Sequence, residues 1–130
     1  MKVSSCVTGI QHLGVPTNDI EKTIAFYESL GFEIAYQTIN ELSGDRVAFL
    51  SLKNLMIETY QNNCAVGKSG AIDHVALDVT DVEIAFDIIK KGGFTLLDKE
   101  IRSLAFWENG VRFFNILGPN GEKIEFSQKL

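Results

Sequence analysis

Basic clusters are missing from this chain. Its 130 residues carry 12 Lys and Arg against 17 Asp and Glu, a formal net charge of −5, and no block of like-signed cations. That excludes the electrostatic footprint of a nucleic-acid binder or of a protein held on an anionic membrane surface. Long hydrophobic runs are missing too. No stretch approaches the roughly 18 consecutive apolar residues of a spanning helix, and the start has no charged, apolar and small-residue succession of a secretory signal. These absences predict a cytoplasmic protein. Cysteine is scarce: Cys6 and Cys64 stand at unrelated positions without CxxC spacing and read as two reduced structural thiols. Histidine is equally scarce, with only two in the chain. Their positions are the most informative feature present.

His12 and His74 lie 62 residues apart in two related segments. His12-Leu-Gly-Val-Pro-Thr-Asn-Asp19 leads to Gly31-Phe32, and His74-Val-Ala-Leu-Asp-Val-Thr-Asp81 leads to Gly93-Phe94, so the histidines, aspartates, glycines and phenylalanines correspond. A further echo pairs Ile57-Glu58 with Ile124-Glu125. With only two copies and a long period, the chain is no solenoid. It reads as a single 130-residue domain of two modules, about 7–62 and about 70–128. Each module offers one His and one Glu, and His12, Glu58, His74 and Glu125 together form a donor set suited to one N/O-ligated divalent ion.

The modules share a predicted βαβββ order. Asn18 with Glu21, and Thr80 with Glu83, have the spacing of helix-opening capping boxes. Ile20, Ile24, Tyr27 and Leu30 give one helix an apolar stripe, and Val82, Phe86 and Ile89 give the other. Gly31 and Gly93 end the helices. Strand-like runs follow at about 32–39, 46–52 and 55–60, then at about 94–98, 111–117 and 122–127, divided by turn residues. Alternation along the strands sets both histidines and both glutamates opposite the oily, helix-facing side. Gly14 and Ala76, two residues after each His, are expected to leave room there for a ligand.

The paired pattern, the four donors and the Gly118-Pro-Asn-Gly-Glu-Lys-Ile-Glu-Phe126 run resemble the vicinal oxygen chelate superfamily (glyoxalase/bleomycin resistance/dioxygenase). Within it the set looks most like glyoxalase I, the lactoylglutathione lyases. The resemblance implies an α+β fold whose two modules curl into an incomplete barrel around a metal site, with His12, Glu58, His74 and Glu125 as ligands and Ni, Co, Zn, Mn or Fe as the ion. Extradiol dioxygenases and fosfomycin thiol transferases in the superfamily use His, His and Glu, and do not need Glu58. Acyl-CoA epimerases of the superfamily carry Gln at the place of Glu58. The chain departs from bacterial glyoxalases at Pro16, where they hold an Arg for the glutathione carboxylate, while Asn62 matches a glutathione-binding Asn.

The same resemblance implies a lyase or isomerase that moves a proton through a metal-stabilised enediolate or enolate, with Glu125 as the first choice of base and Glu58 the second. Arg46 and Arg112 at corresponding strand positions, and Arg102 and Trp107 in a long loop of the second half, are candidate contacts to a small-molecule substrate. The alternatives are an acyl-CoA-type epimerase and a binding or resistance module without turnover. A homodimer is expected, because the outer strand of each module would otherwise be an open edge.

Overall fold

The computed structural model describes residues 2–130. They divide into two compact units, Met1–Ala65 and Val66–Leu130, and each is a mixed α+β module with one open sheet. After a short 3₁₀ turn at Val3–Cys6, unit 1 runs β1 (Leu13–Pro16), α1 (Ile20–Ser29), β2 (Glu33–Ile39), β3 (Arg46–Leu52) and β4 (Leu55–Tyr60). Its strand order is β1-β4-β3-β2, with β1 parallel to β4 and the rest antiparallel. Unit 2 runs β5 (His74–Asp78), α2 (Val82–Lys91), β6 (Thr95–Leu96), β7 (Arg102–Leu104), β8 (Val111–Leu117) and β9 (Lys123–Lys129). Its order is β5-β9-β8-β6, with β7 also paired to β8. The expected βαβββ pattern is present twice. No helix among the described residues is long and apolar enough to cross a membrane.

Each sheet buries one face under its helix. Ile20, Ile24 and Tyr27 of α1 meet Ala48, Leu50 and Ile57 in the core of unit 1; Val82 and Ile89 of α2 share that of unit 2 with Phe114, Ile116 and Ile124. Phe114 lies edge-on to Phe86 and stacks on Phe126, with ring centroids 5.1 and 5.0 Å away. Burial of this apolar face is the main force holding each helix to its sheet. Gly31 and Gly93 follow the helices with φ of 103° and 77°, backbone that a Cβ would strain.

Two local expectations are corrected. The helix caps are Asp19 and Asp81, each one residue after the predicted Asn18 and Thr80. Asp19 accepts from the Lys22 N–H, and Asp81 from those of Glu83 and Ile84. Asn18 is engaged elsewhere, accepting the Ala65 N–H at 3.1 Å. Glu21 and Glu83 do not reach back to close a capping box; they pair with Arg46 and Arg112. The second correction concerns the edge of sheet 2, where the strand expected at 94–98 shrinks to β6 and Arg102, expected in a long loop, lies in a further short strand, β7. Between them Asp98 Oδ2 accepts the Asn115 N–H at 2.8 Å, so a side chain stands where a strand carbonyl would continue the ladder.

A candidate metal half-site in each unit

The two sheets position His and Glu by the same rule. In unit 1 the parallel β1–β4 register sets Gly14 beside Glu58, and in unit 2 the β5–β9 register sets Ala76 beside Glu125. The small residue two positions after each His therefore flanks the glutamate, and the imidazole reaches it from the end of the neighbouring strand. His12 Nε2 lies 3.4 Å from Glu58 Oε1, and His74 Nε2 lies 3.0 Å from Glu125 Oε2. Neither pair is sealed from solvent, with side-chain exposures of 30% and 27% in unit 1 and 42% and 16% in unit 2.

The spacing suits a shared ion. Two donors each about 2.1 Å from one metal at a right angle lie roughly 3.0 Å apart, close to the separation in both pairs. The second ring nitrogen of each histidine is also engaged. Nδ1 of His12 is 2.9 Å from Gln11 Oε1, and Nδ1 of His74 is 3.0 Å from Asp73 Oδ2. Such outer partners fix the tautomer that leaves Nε2 for a metal. Lys123 Nζ also donates to Asp73, at 3.0 Å. The hydrogen bonds from His74, first, and Lys123, second, hold the Asp73 carboxyl below its ordinary value. Among the described residues no three His, Cys, Asp or Glu side chains form a cluster able to hold an ion; each unit presents a pair.

The faces around the pairs differ. In unit 1 the Tyr60 ring fills the room expected over Gly14, its Cε1 and hydroxyl 3.5 and 3.6 Å from where a Cβ would sit. Phe49 meets the His12 ring edge-on at 5.5 Å. In unit 2 the places of Phe49 and Tyr60 are taken by Asn115 and Ser127, opposite Glu125 and Phe113 in the β8–β9 register. Here an open cavity of about 1120 Å³ lies on the sheet, with His74 and Glu125 in its wall.

The remaining sequence candidates separate cleanly. Arg102 and Trp107 line that cavity. Arg46 and Arg112 are on the other, helix side, ion-paired with Glu21 and Glu83 across each unit, so the structure gives both a structural partner away from the His–Glu faces. Asn62 closes a turn, accepting the Cys64 N–H at 3.0 Å. Gln11, Asp73 and Lys123 were not singled out as candidates from sequence, although Gln11 and Asp73 precede the two histidines at the same 62-residue offset.

Comparison with known proteins bears on the whole arrangement. The family described as Glyoxalase/Bleomycin resistance protein/Dioxygenase superfamily matches residues 9–126. An uncharacterized protein of Bacillus subtilis (strain 168), YwbC, is 32% identical over 125 residues, covering 92% of this chain and 97% of that protein. A glyoxalase family protein of Enterococcus faecalis superposes with a TM-score of 0.77 at 20% identity, covering 92% of this chain and 97% of that one. The fosfomycin resistance protein FosX of Listeria monocytogenes superposes with a TM-score of 0.73 at 20% identity over 95% of both chains, and it has also been crystallised with Mn(II) and sulfate.

Proposed function

The chain belongs to the Glyoxalase/Bleomycin resistance protein/Dioxygenase superfamily, and from that premise we propose that it is a metal-dependent lyase or isomerase of the glyoxalase type acting on a small molecule. The observation that carries the proposal is the repetition of one His–Glu pair in each unit, at 3.4 and 3.0 Å, on the sheet face away from the helix. In this reading His12, Glu58, His74 and Glu125 are the ligands of one divalent ion, which supplies Lewis-acid stabilisation of negative charge on substrate oxygen. The FosX complex with Mn(II) supports a divalent ion in this fold.

The protein's own groups carry the proton. Glu125, the less exposed of the two carboxylates, takes it from the carbon next to a substrate carbonyl and returns it to the adjacent carbon; Glu58 is the second choice. His74, steadied by Asp73, stands 3.0 Å from Glu125, so an ion shared by the two would fix the carboxylate's position. The active form is a cytoplasmic homodimer in this reading, with the open sheet edges covered by a second copy.

The test measures metal content after mild purification and solvent deuterium incorporation into thiol hemithioacetals and 2-acyl-CoA thioesters. One ion per His12, Glu58, His74, Glu125 set and a Glu125→Gln variant that binds the ion without exchange are expected. Full occupancy in His74→Ala overturns the four-donor reading. A chain that binds small molecules but no ion is a binding module.

A further inference from the structure

The sheet face of unit 2 carries cations that the His–Glu pair does not explain. Lys129 Nζ sits 3.9 Å over the Trp107 ring and has no carboxylate partner among the described residues. Arg102 lies over the Phe113 ring, its Cζ 5.3 Å from the centroid, and its nearest carboxylate, Asp98, is 3.6 Å off. That contact is to Asp98 Oδ1 alone, because Asn115 holds Oδ2 with two hydrogen bonds at 2.8 and 3.0 Å, so the guanidinium fork is not filled by a bidentate pair. Arg112, by contrast, holds its carboxylate at 3.0 Å on the opposite face. Both loosely held cations lie against rings in the wall of one cavity, together with His74 and Glu125.

The register orders this wall in rows. Leu104, Val111 and Lys129 form one row, Arg102, Phe113 and Ser127 the next, and Asn115 and Glu125 the third. Two strands and two residues separate Arg102 from Glu125, roughly 12 Å between Cα atoms. Beyond the rows, Phe106 and Trp107 are 59% and 68% exposed although they line the cavity. Trp107 is also held at φ 61°, a conformation that a bulky side chain adopts at a cost. A ring-bearing molecule would cover these aromatics, and an acidic group on it would complete the guanidinium fork of Arg102.

We propose that this cavity binds a small carboxylic acid with an aromatic body, its carboxylate on Arg102 with Lys129 beside it and its ring against Phe106, Trp107 and Phe113. This rests on the reading of His74 and Glu125 as part of the reaction centre and names the substrate class that centre receives. Arg102 is the specificity-determining residue.

Trp107 is the only tryptophan in the chain, so its emission, excited at the red edge, reports occupancy. The probes are 3-phenylpropionate, its neutral amide, and propionate, each titrated into the full chain in the presence of a chelator. The acid is expected to shift the emission and to bind at least tenfold more tightly than either the amide or propionate. Arg102→Gln, an exposed substitution that spares the core, should erase the preference for acid over amide, a factor of ten or more being what a charge-assisted pair supplies. An amide as tight as the acid, or an Arg102→Gln chain that keeps the preference, overturns the proposal. Metal analysis of the protein before the chelator is added separates the two readings: an ion bound without acid preference defeats the anion pocket alone, and acid preference without an ion defeats the metal reading alone.

Discussion

Gln128→Ala should destabilise the protein by about 1–3 kcal/mol, the cost of leaving a buried donor without its acceptor. The four N–H groups opening α2 are all engaged. Those of Glu83 and Ile84 go to the Asp81 side chain, that of Ala85 to the Asp81 carbonyl, and that of Val82 to Gln128 Oε1 at 2.9 Å. Val82 is fully buried, so water cannot replace Gln128. Gln61 does the same for Ile20 of α1, also at 2.9 Å, and Ile20 is 1% exposed. Gln61→Ala should therefore cost a similar amount. Urea denaturation followed by circular dichroism at fixed temperature measures the difference, with the slope unchanged from wild type. Gln128→Glu keeps an acceptor oxygen at the helix N-terminus, where negative charge is favourable, and should recover most of the loss. A Gln128→Ala chain within about 0.5 kcal/mol of wild type, the range of neutral surface changes, would refute the reasoning; so would a Glu variant as weak as the Ala variant.

Phe114→Ala should cost about 3–5 kcal/mol, since Phe114 is fully buried between Phe86 and Phe126; loss of cooperative unfolding or a markedly lower urea midpoint checks it. Stripping the proposed ion with a chelator should lower the melting temperature, and restoring metal at about 100 times its Kd should return roughly 2.7 kcal/mol; His74→Ala should show no such response. Light scattering at micromolar concentration should give a homodimer, and a strictly monomeric chain would count against that assembly. Turnover of the methylglyoxal–glutathione hemithioacetal should be weak and improve in Pro16→Arg, which restores a bidentate carboxylate contact; a wild-type kcat/KM above ~10⁶ M⁻¹s⁻¹ would show that glutathione is held by another group.

The paired modules and the two His–Glu pairs were legible because they obey short rules. Alternation sets the face of Glu58 and Glu125, and copied landmarks point to both histidines. What stayed hidden depends on contacts distant in sequence. Asn18 satisfies every local rule for a cap, yet its side chain is used by Ala65, 47 residues on. The break between β6 and β7 follows from Asp98 reaching Asn115, 17 residues away. Gly14 was expected to keep a ligand space open, but a glycine does not say which distant side chain will enter that space, and Tyr60 does. Arg46 and Arg112 looked like substrate contacts because their spacing matched; the same spacing matches Glu21 and Glu83 on the helices, which take them.

The broken outer edge of the second sheet has an evolutionary consequence. Arg102, Ser103 and Leu104 of β7 are all exposed, and Phe106 and Trp107 that follow are too, so this short stretch shapes the cavity while contributing nothing to the buried core. His74 and Glu125 sit on β5 and β9, at the far side of β8. Substitutions or insertions at 102–107 can therefore reshape the cavity wall without disturbing folding or the His–Glu pair. A duplicated gene built this way can vary its cavity one loop at a time while inheriting its His–Glu pair intact.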